Sequence, residues 1–388
     1  MKKRVLFLSV VIVLSLSASW IEPSNEANLG EEVDIPQEQI ITKPVQTNQT
    51  TQNSQDSSIW GEEIGSVKEP VREVSIDDFK RLGSLRIALL VPKRVIGSYS
   101  KKVSNSILSY LVHRGMDFEF EVFDSKDESA ENIASTLAKI KSKGYNYIVA
   151  PVTKNGAYWV AEYEKDSIVF IPTVNKSSSG IVSGNIIFGG IDYKNQIKKL
   201  LDYTNDKLAI LSGSSSVARE LTSDVMSLYY NPNIYLKSIA NSKINPKYIL
   251  KNNTNLQNAS IFLNMPLVTS ASIVSAFSSY NIKPYGLYST QVNYSPLLFN
   301  MIQPKDRKNF YIANSIGYVN SKLNDISQNL GVKLKYNWVA YSSDIGVDKI
   351  YSRFYDSEPL FFEDLVNHEI KYKDRVVKIV GDEFKRAE

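Results

Sequence analysis

Residues 171–180 read IPTVNKSSSG. An apolar stretch ends at Pro172, and Thr173, Asn175, Lys176, three serines and a glycine follow. Hydroxyls, an amide and a cation in one loop suit a cradle for an anionic ligand, a nucleophile loop, or a solvated turn. A serine nucleophile needs a base within hydrogen-bond reach. The two histidines, His113 and His368, have no spacing relation to these serines. A second serine run, GSSS at 213–216, is followed by Val217 where the G-x-S-x-G elbow requires glycine. The carboxylate pairs Asp127-Glu128 and Glu363-Asp364 read as loop or surface acids. No phosphate-loop or H-E-x-x-H pattern occurs. The sequence therefore assigns no catalytic residue, no metal ligand and no cofactor, and the protein is expected not to be an enzyme. Lys93 and Arg94, with Lys176, either favour an anionic ligand or form a solvated rim.

These residues sit in a chain of 388 residues, long enough for two folded units. The net charge of +4 is spread along the chain, unlike the concentrated basic patch of a nucleic-acid binder. Cysteine is absent, which excludes disulfides, thiolate chemistry and a cysteine-linked lipid anchor. Met1-Lys2-Lys3-Arg4, an apolar run of about 12 residues and Ser17-Ala18-Ser19 follow the order of a secretory signal. Residues 1–19 are read as that signal. The alternative is an uncleaved anchor, and either reading exports the rest to the periplasm of a Gram-negative bacterium. With the signal removed, no membrane span is expected. Residues 20–83, acidic and then rich in Gln, Asn and Thr, have little to bury and are expected to form a disordered linker.

From residue 84 strands and helices alternate. LRIALLVP (85–92), FEFEVF (118–123), YNYIVAPV (145–152), SIVFIP (167–172) and NIIFGG (185–190) read as strands with helical periodicity between them. The pattern resumes with KLAILSG (207–213), NIYLKSIA (233–240), SIFLNMP (260–266), PYGLYS (284–289) and NFYIAN (309–314). KYNWVAYSSDIGVDKIYSRF (335–354) reads as a late helix and RVVKIVG (375–381) as a closing strand. Apolar strands alternating with helices imply mostly parallel sheets covered on both faces.

This order resembles the type I periplasmic-binding-protein superfamily. ALLVPKRVIGSY (88–99) is similar to the first strand and ligand loop of the branched-chain amino-acid receptors. VAPVTKNGAYWVAEYEKDSIVFIPTVN (149–175) is similar to their third and fourth strands, and IFLNMP (261–266) and YNWVAYSSDIGVDKI (336–350) to later elements. LLVP and VAPVTKNG also resemble the penicillin-binding-protein activators, although the lipid-acceptor cysteine and helical repeats of that group are missing.

The resemblance implies an α/β fold of two lobes. One would comprise 84–190 with about 290–335 and the other 191–289 with about 336–385, with crossings near 189–193, 283–290 and 330–340. It implies a ligand cleft at the carboxyl ends of the strands. From the first lobe the cleft would be lined by Gly97, Ser98 and Tyr99, by Thr153, Asn155 and Gly156, and by Asn175, Lys176, Ser177 and Ser178. The second lobe would add Ser215, Pro266 and Gln291. Tyr99, Tyr158, Trp159 and Tyr288 would either wall the cleft or belong to the core. Lys176 takes the place of a small residue in the receptors' carboxylate-holding run. Two functions remain open. One is a non-catalytic interaction protein with an envelope or peptidoglycan-associated protein partner, acting as a regulator or scaffold. The other is a receptor for an amino acid or small anion, feeding a transporter or sensor. The long linker and the altered serine loop favour the first.

Overall fold

The computed structural model describes Ser75 and residues 84–229, 233–240 and 244–387. The expected signal (1–19) and, Ser75 aside, the expected linker (20–83) lie outside the described residues. The first lobe runs β1 (Leu85–Val91), α1 (Lys93–Ile96), α2 (Tyr99–Arg114), β2 (Phe118–Asp124), α3 (Ala130–Ser142), β3 (Tyr147–Val149), α4 (Lys154–Tyr163), β4 (Ile168–Ile171), α5 (Lys176–Ser179) and β5 (Ile186–Phe188). The second runs α6 (Tyr193–Leu201), β6 (Leu208–Ser212), α7 (Ser216–Leu228), β7 (Tyr235–Ser238), α8 (Pro246–Leu250), β8 (Ser260–Asn264), α9 (Leu267–Ser275), β9 (Gly286–Ser289), α10 (Leu297–Met301) and β10 (Phe310–Asn314). The chain then returns to the first lobe with α11 (Ser321–Asn329), α12 (Trp338–Phe354), β11 (Asp364–Val366) and β12 (Glu369–Lys371). It ends in the second with β13 (Arg375–Val380) and β14 (Glu383–Arg386).

The described residues form two seven-stranded sheets, ordered β11-β12-β5-β4-β3-β1-β2 and β14-β13-β10-β9-β8-β6-β7. Each is parallel except at its late hairpin, where β11 opposes β12 and where β13 opposes both β10 and β14. Helices cover both faces, so β1 is apolar except at Arg86, which pairs with Glu119. Leu85, Ile87, Leu89 and Val91 enter a core with α2, α11 and α12. Ala88 and Leu90 enter a second core with α3 and α4. Each leucine, isoleucine or valine among these contributes about 1.5–3 kcal/mol on burial. The second sheet is covered in the same way, by α8, α9 and α10 on one face and by α6 and α7 on the other. Among the described residues no helix is long and apolar enough to cross a membrane.

The distribution of the late segments corrects the expected one. β10 was expected in the first lobe, yet it pairs with β9 and β13 in the second sheet. α12 was expected in the second, yet Tyr341, Ile345 and Ile350 are buried in the core of the first. The chain crosses at 189–192, 315–320 and 372–374; only the first agrees with expectation. An apolar strand joins whichever sheet edge is open when it arrives, and residue pattern does not state which edge that is.

Candidate ligand cleft and hinge

Parallel pairing carries the loops after β1, β3 and β4 to one end of the first sheet, and those after β6, β8 and β9 to one end of the second. The two ends meet. Lys154, the first residue of α4, donates to Glu220 of α7 at 2.8 Å, an ion pair between lobes. Burial, followed by Glu220 and Tyr99, raises the Tyr193 phenol above its ordinary range.

The donors of the β3–α4 loop are taken by the protein itself. Glu128, only 6% exposed, lies ahead of α3 and directs its carboxylate at the start of α4. Oε1 accepts from the Thr153 N–H at 2.7 Å, and Oε2 accepts from the Gly156 N–H at 3.1 Å and from the Thr153 hydroxyl. Asn155 donates to the Glu128 main-chain carbonyl at 3.2 Å. These are N–H groups at a helix N-terminus, where an anion is stabilised. A Cβ at Gly156 would lie 2.7 Å from the Glu128 Cδ, so only glycine admits the carboxylate so closely.

The serine loop is also satisfied internally. Asn175 caps α5, its Oδ1 accepting from Ser177 N–H (3.0 Å) and Oγ–H (2.6 Å), while its Nδ2 donates to Glu369 Oε1 at 2.7 Å. Asn175 and Glu369 are 7% and 8% exposed. Lys176 donates to the Asn367 carbonyl at 2.6 Å, Ser178 to the Asn175 carbonyl at 3.2 Å and Ser179 to the Lys176 carbonyl at 2.8 Å. The loop is thus tied to the β11–β12 hairpin, whose turn also accepts a bond from Phe188 N–H at the His368 carbonyl (2.9 Å). From below, Gly190 presses on the loop's main chain, its Cβ position only 2.1 Å from Val174 C.

The other expected residues divide. Lys93 and Arg94 pair with Asp124 (3.5 Å) and Asp127 (3.8 Å) on exposed surface. Gly97 ends α1 at φ 50°, and Ser98 precedes α2. Ser215 caps α7 by accepting from Ala218 N–H at 3.1 Å, and Pro266 precedes α9. Gln291 is buried at the hinge, its Oε1 accepting from Ser315 N–H at 2.7 Å. Tyr288 lies in the second lobe's core, its ring 5.4 Å from Phe262 and 5.5 Å from Tyr311. Tyr158 and Tyr163 stand outside on α4, 53% and 45% exposed, with Trp159 between them and stacked on Tyr163 at 5.9 Å. His113 lies in the last turn of α2, where burial, Arg114 and Lys322 hold its imidazole below the ordinary range. Sequence reasoning missed Glu128, Glu369 and Glu220. Each acts on a residue distant in sequence, so no local spacing announces it.

The sequence matches no protein-family model and no curated protein. Solved structures do share its architecture. A branched-chain amino acid ABC transporter protein from Thermus thermophilus, with bound valine, superposes at TM-score 0.60 with 11% identity, covering 79% of this chain and 95% of the other. The substrate-binding protein LivJ from Streptococcus pneumoniae, in complex with isoleucine, gives 0.56 at 12% identity, with 79% and 99% covered. LpoA from Haemophilus influenzae gives 0.53 at 8% identity, with 82% and 59% covered. The protein has the type I periplasmic-binding-protein fold. That fold is shared by ligand-bound transport receptors and by LpoA.

Proposed function

We propose that this protein is a non-catalytic periplasmic interaction protein that uses a binding-protein scaffold to engage an envelope or peptidoglycan-associated protein, as a regulator or scaffold. One observation carries the reading: the groups best placed to hold a solute carboxylate are already bonded to Glu128 and Glu369. A solute would have to displace two nearly buried carboxylates, each a costly group to strip of partners. Removal of the expected signal would release the chain into the periplasm. The cleft rim at Gly97, Ser98, Tyr99, Ser177, Ser178, Ser215 and Pro266 then serves as surface rather than ligand lining. Tyr158 and Tyr163 beside it are of a residue type enriched in interface anchors. The test is a thermal-shift screen of the full secreted chain against amino acids, small anions and peptidoglycan fragments, paired with affinity capture from envelope extract. The expected result is no shift with any amino acid and recovery of an envelope protein. A shift of several degrees with one amino acid, abolished by Asn175→Ala plus Ser177→Ala, would instead establish a solute receptor.

A further inference from the structure

Three stretches carry the chain between the lobes, and one helix on each side gathers them. In the first lobe this is α12. Its Tyr341 hydroxyl accepts from Gly317 N–H of the second crossing at 2.9 Å. Its Ser342 Oγ lies 2.9 Å from the Gly189 carbonyl of the first crossing, to which Tyr372 of the third donates at 2.7 Å. In the second lobe it is α6. Gln196 donates to Ser315 Oγ of the second crossing at 2.5 Å, and Lys199 to the Asp374 main-chain carbonyl of the third at 2.9 Å. The Asp374 carboxylate then joins the parts. Its Oδ1 accepts from the Ser315 hydroxyl, and its Oδ2 from Asn195 of α6 at 2.6 Å. Gln196, Ser315 and Asp374 are all buried.

A hinge bends when a few residues absorb changes in φ and ψ. Here rotation of the third crossing against the second or against α6 pulls donors from a buried carboxylate, where hydrogen bonds are strong and unpaired groups costly. We propose that Asp374 is a hinge pin that fixes the interlobe angle from within the chain, so that lobe closure does not depend on a ligand. This deepens the reading of the cleft as already filled, but its argument stands on the crossings alone.

The absence of cysteine makes the test direct. Cysteines introduced at the exposed positions Ser135 in α3 and Ser223 in α7 take one spin label in each lobe. In the otherwise unchanged full chain, pulsed dipolar spectroscopy is expected to give one narrow interlobe distance. Asp374→Ala is expected to broaden or shift it, with Ser315→Ala acting in the same direction. If Asp374→Ala does not fold, Ser315→Ala and Asn195→Ala, each removing one donor, carry the test. A broad distribution in the parent, or a narrow unshifted one in every folded variant, overturns the proposal. The thermal-shift screen reads solute binding separately, so a mobile hinge and a solute-binding cleft remain distinguishable outcomes.

Discussion

The carboxylate of Glu128 takes from within the chain the hydrogen bonds that an outside anion would take. Glu128→Ala leaves the buried Gly156 N–H at the start of α4 unpartnered, at a cost of about 1–3 kcal/mol. Thermal denaturation should show that loss, and added acetate should restore part of it by refilling the place vacated. A lower melting temperature with no response to acetate would show that packing alone was lost. A second carboxyl is less well served. Asp344 on α12 is fully buried, and neither oxygen has a hydrogen bond of ordinary geometry. The Ser106 hydroxyl lies beside it and offers some relief, but stands 3.5 Å from the Ala340 carbonyl. Burial, with Asp348 nearby, pushes the Asp344 carboxyl well above the usual range. A raised folded-state value means that the native state binds the proton more tightly than the unfolded one. The stabilisation is therefore full below the unfolded-state value of about 3.9 and is lost as pH rises toward and through the folded-state value. Asp344→Asn should accordingly be more stable than the parent at neutral pH, with the difference shrinking as pH approaches 4. Denaturant titrations across that range check the sign.

At the scale of elements, the β11–β12 hairpin holds the serine loop, and its turn is strained. Asn367 and His368 both have positive φ, 51° and 61°. That turn geometry favours Asn-Gly, and a left-handed residue other than glycine costs about 1–2 kcal/mol. His368→Gly should raise stability by about 1 kcal/mol, read as a higher denaturant midpoint with an unchanged slope. The same hairpin shows where sequence reasoning stops. LRIALLV and IVFI announce themselves as strands because both faces are buried, and the serine loop was placed at a strand end because Pro172 closes an apolar run. The Asp364–Val366 strand is wholly exposed, has three residues and lacks the Asn-Gly signal, so its pairing depends on β12, which in turn needs the free edge of β5. α5 was likewise unreadable, because it is held by Asn175, itself fixed by Glu369 from another segment.

For the whole molecule, the lobes touch at the hinge and again at the Lys154–Glu220 pair. Both side chains of that pair are partly exposed, at 48% and 37%, so its contribution is modest, below about 1 kcal/mol, and screened by salt. Lys154→Glu sets two carboxylates against each other across the cleft. It should lower the melting temperature at low ionic strength and leave it nearly unchanged at high salt. The two-lobed plan was legible from the alternation of strands and helices, but the crossings were not. They are defined by the contacts of Gly189 with Ser342 and Tyr372 and of Ser315 with Asp374, positions that carry no pattern of their own.

The final stretch of chain has a consequence for how the molecule is made. β12 covers the edge of β5 in one lobe, and β13 covers the edge of β10 in the other. Neither sheet is finished until residues 364–386 are available, although most of each lobe lies far earlier in the chain. Pairings over such separations form slowly, and an uncovered apolar edge invites association with other chains. A chain interrupted after α12 would carry two open sheet edges at once. Both lobes therefore reach completion together, only once residues 364–386 have emerged.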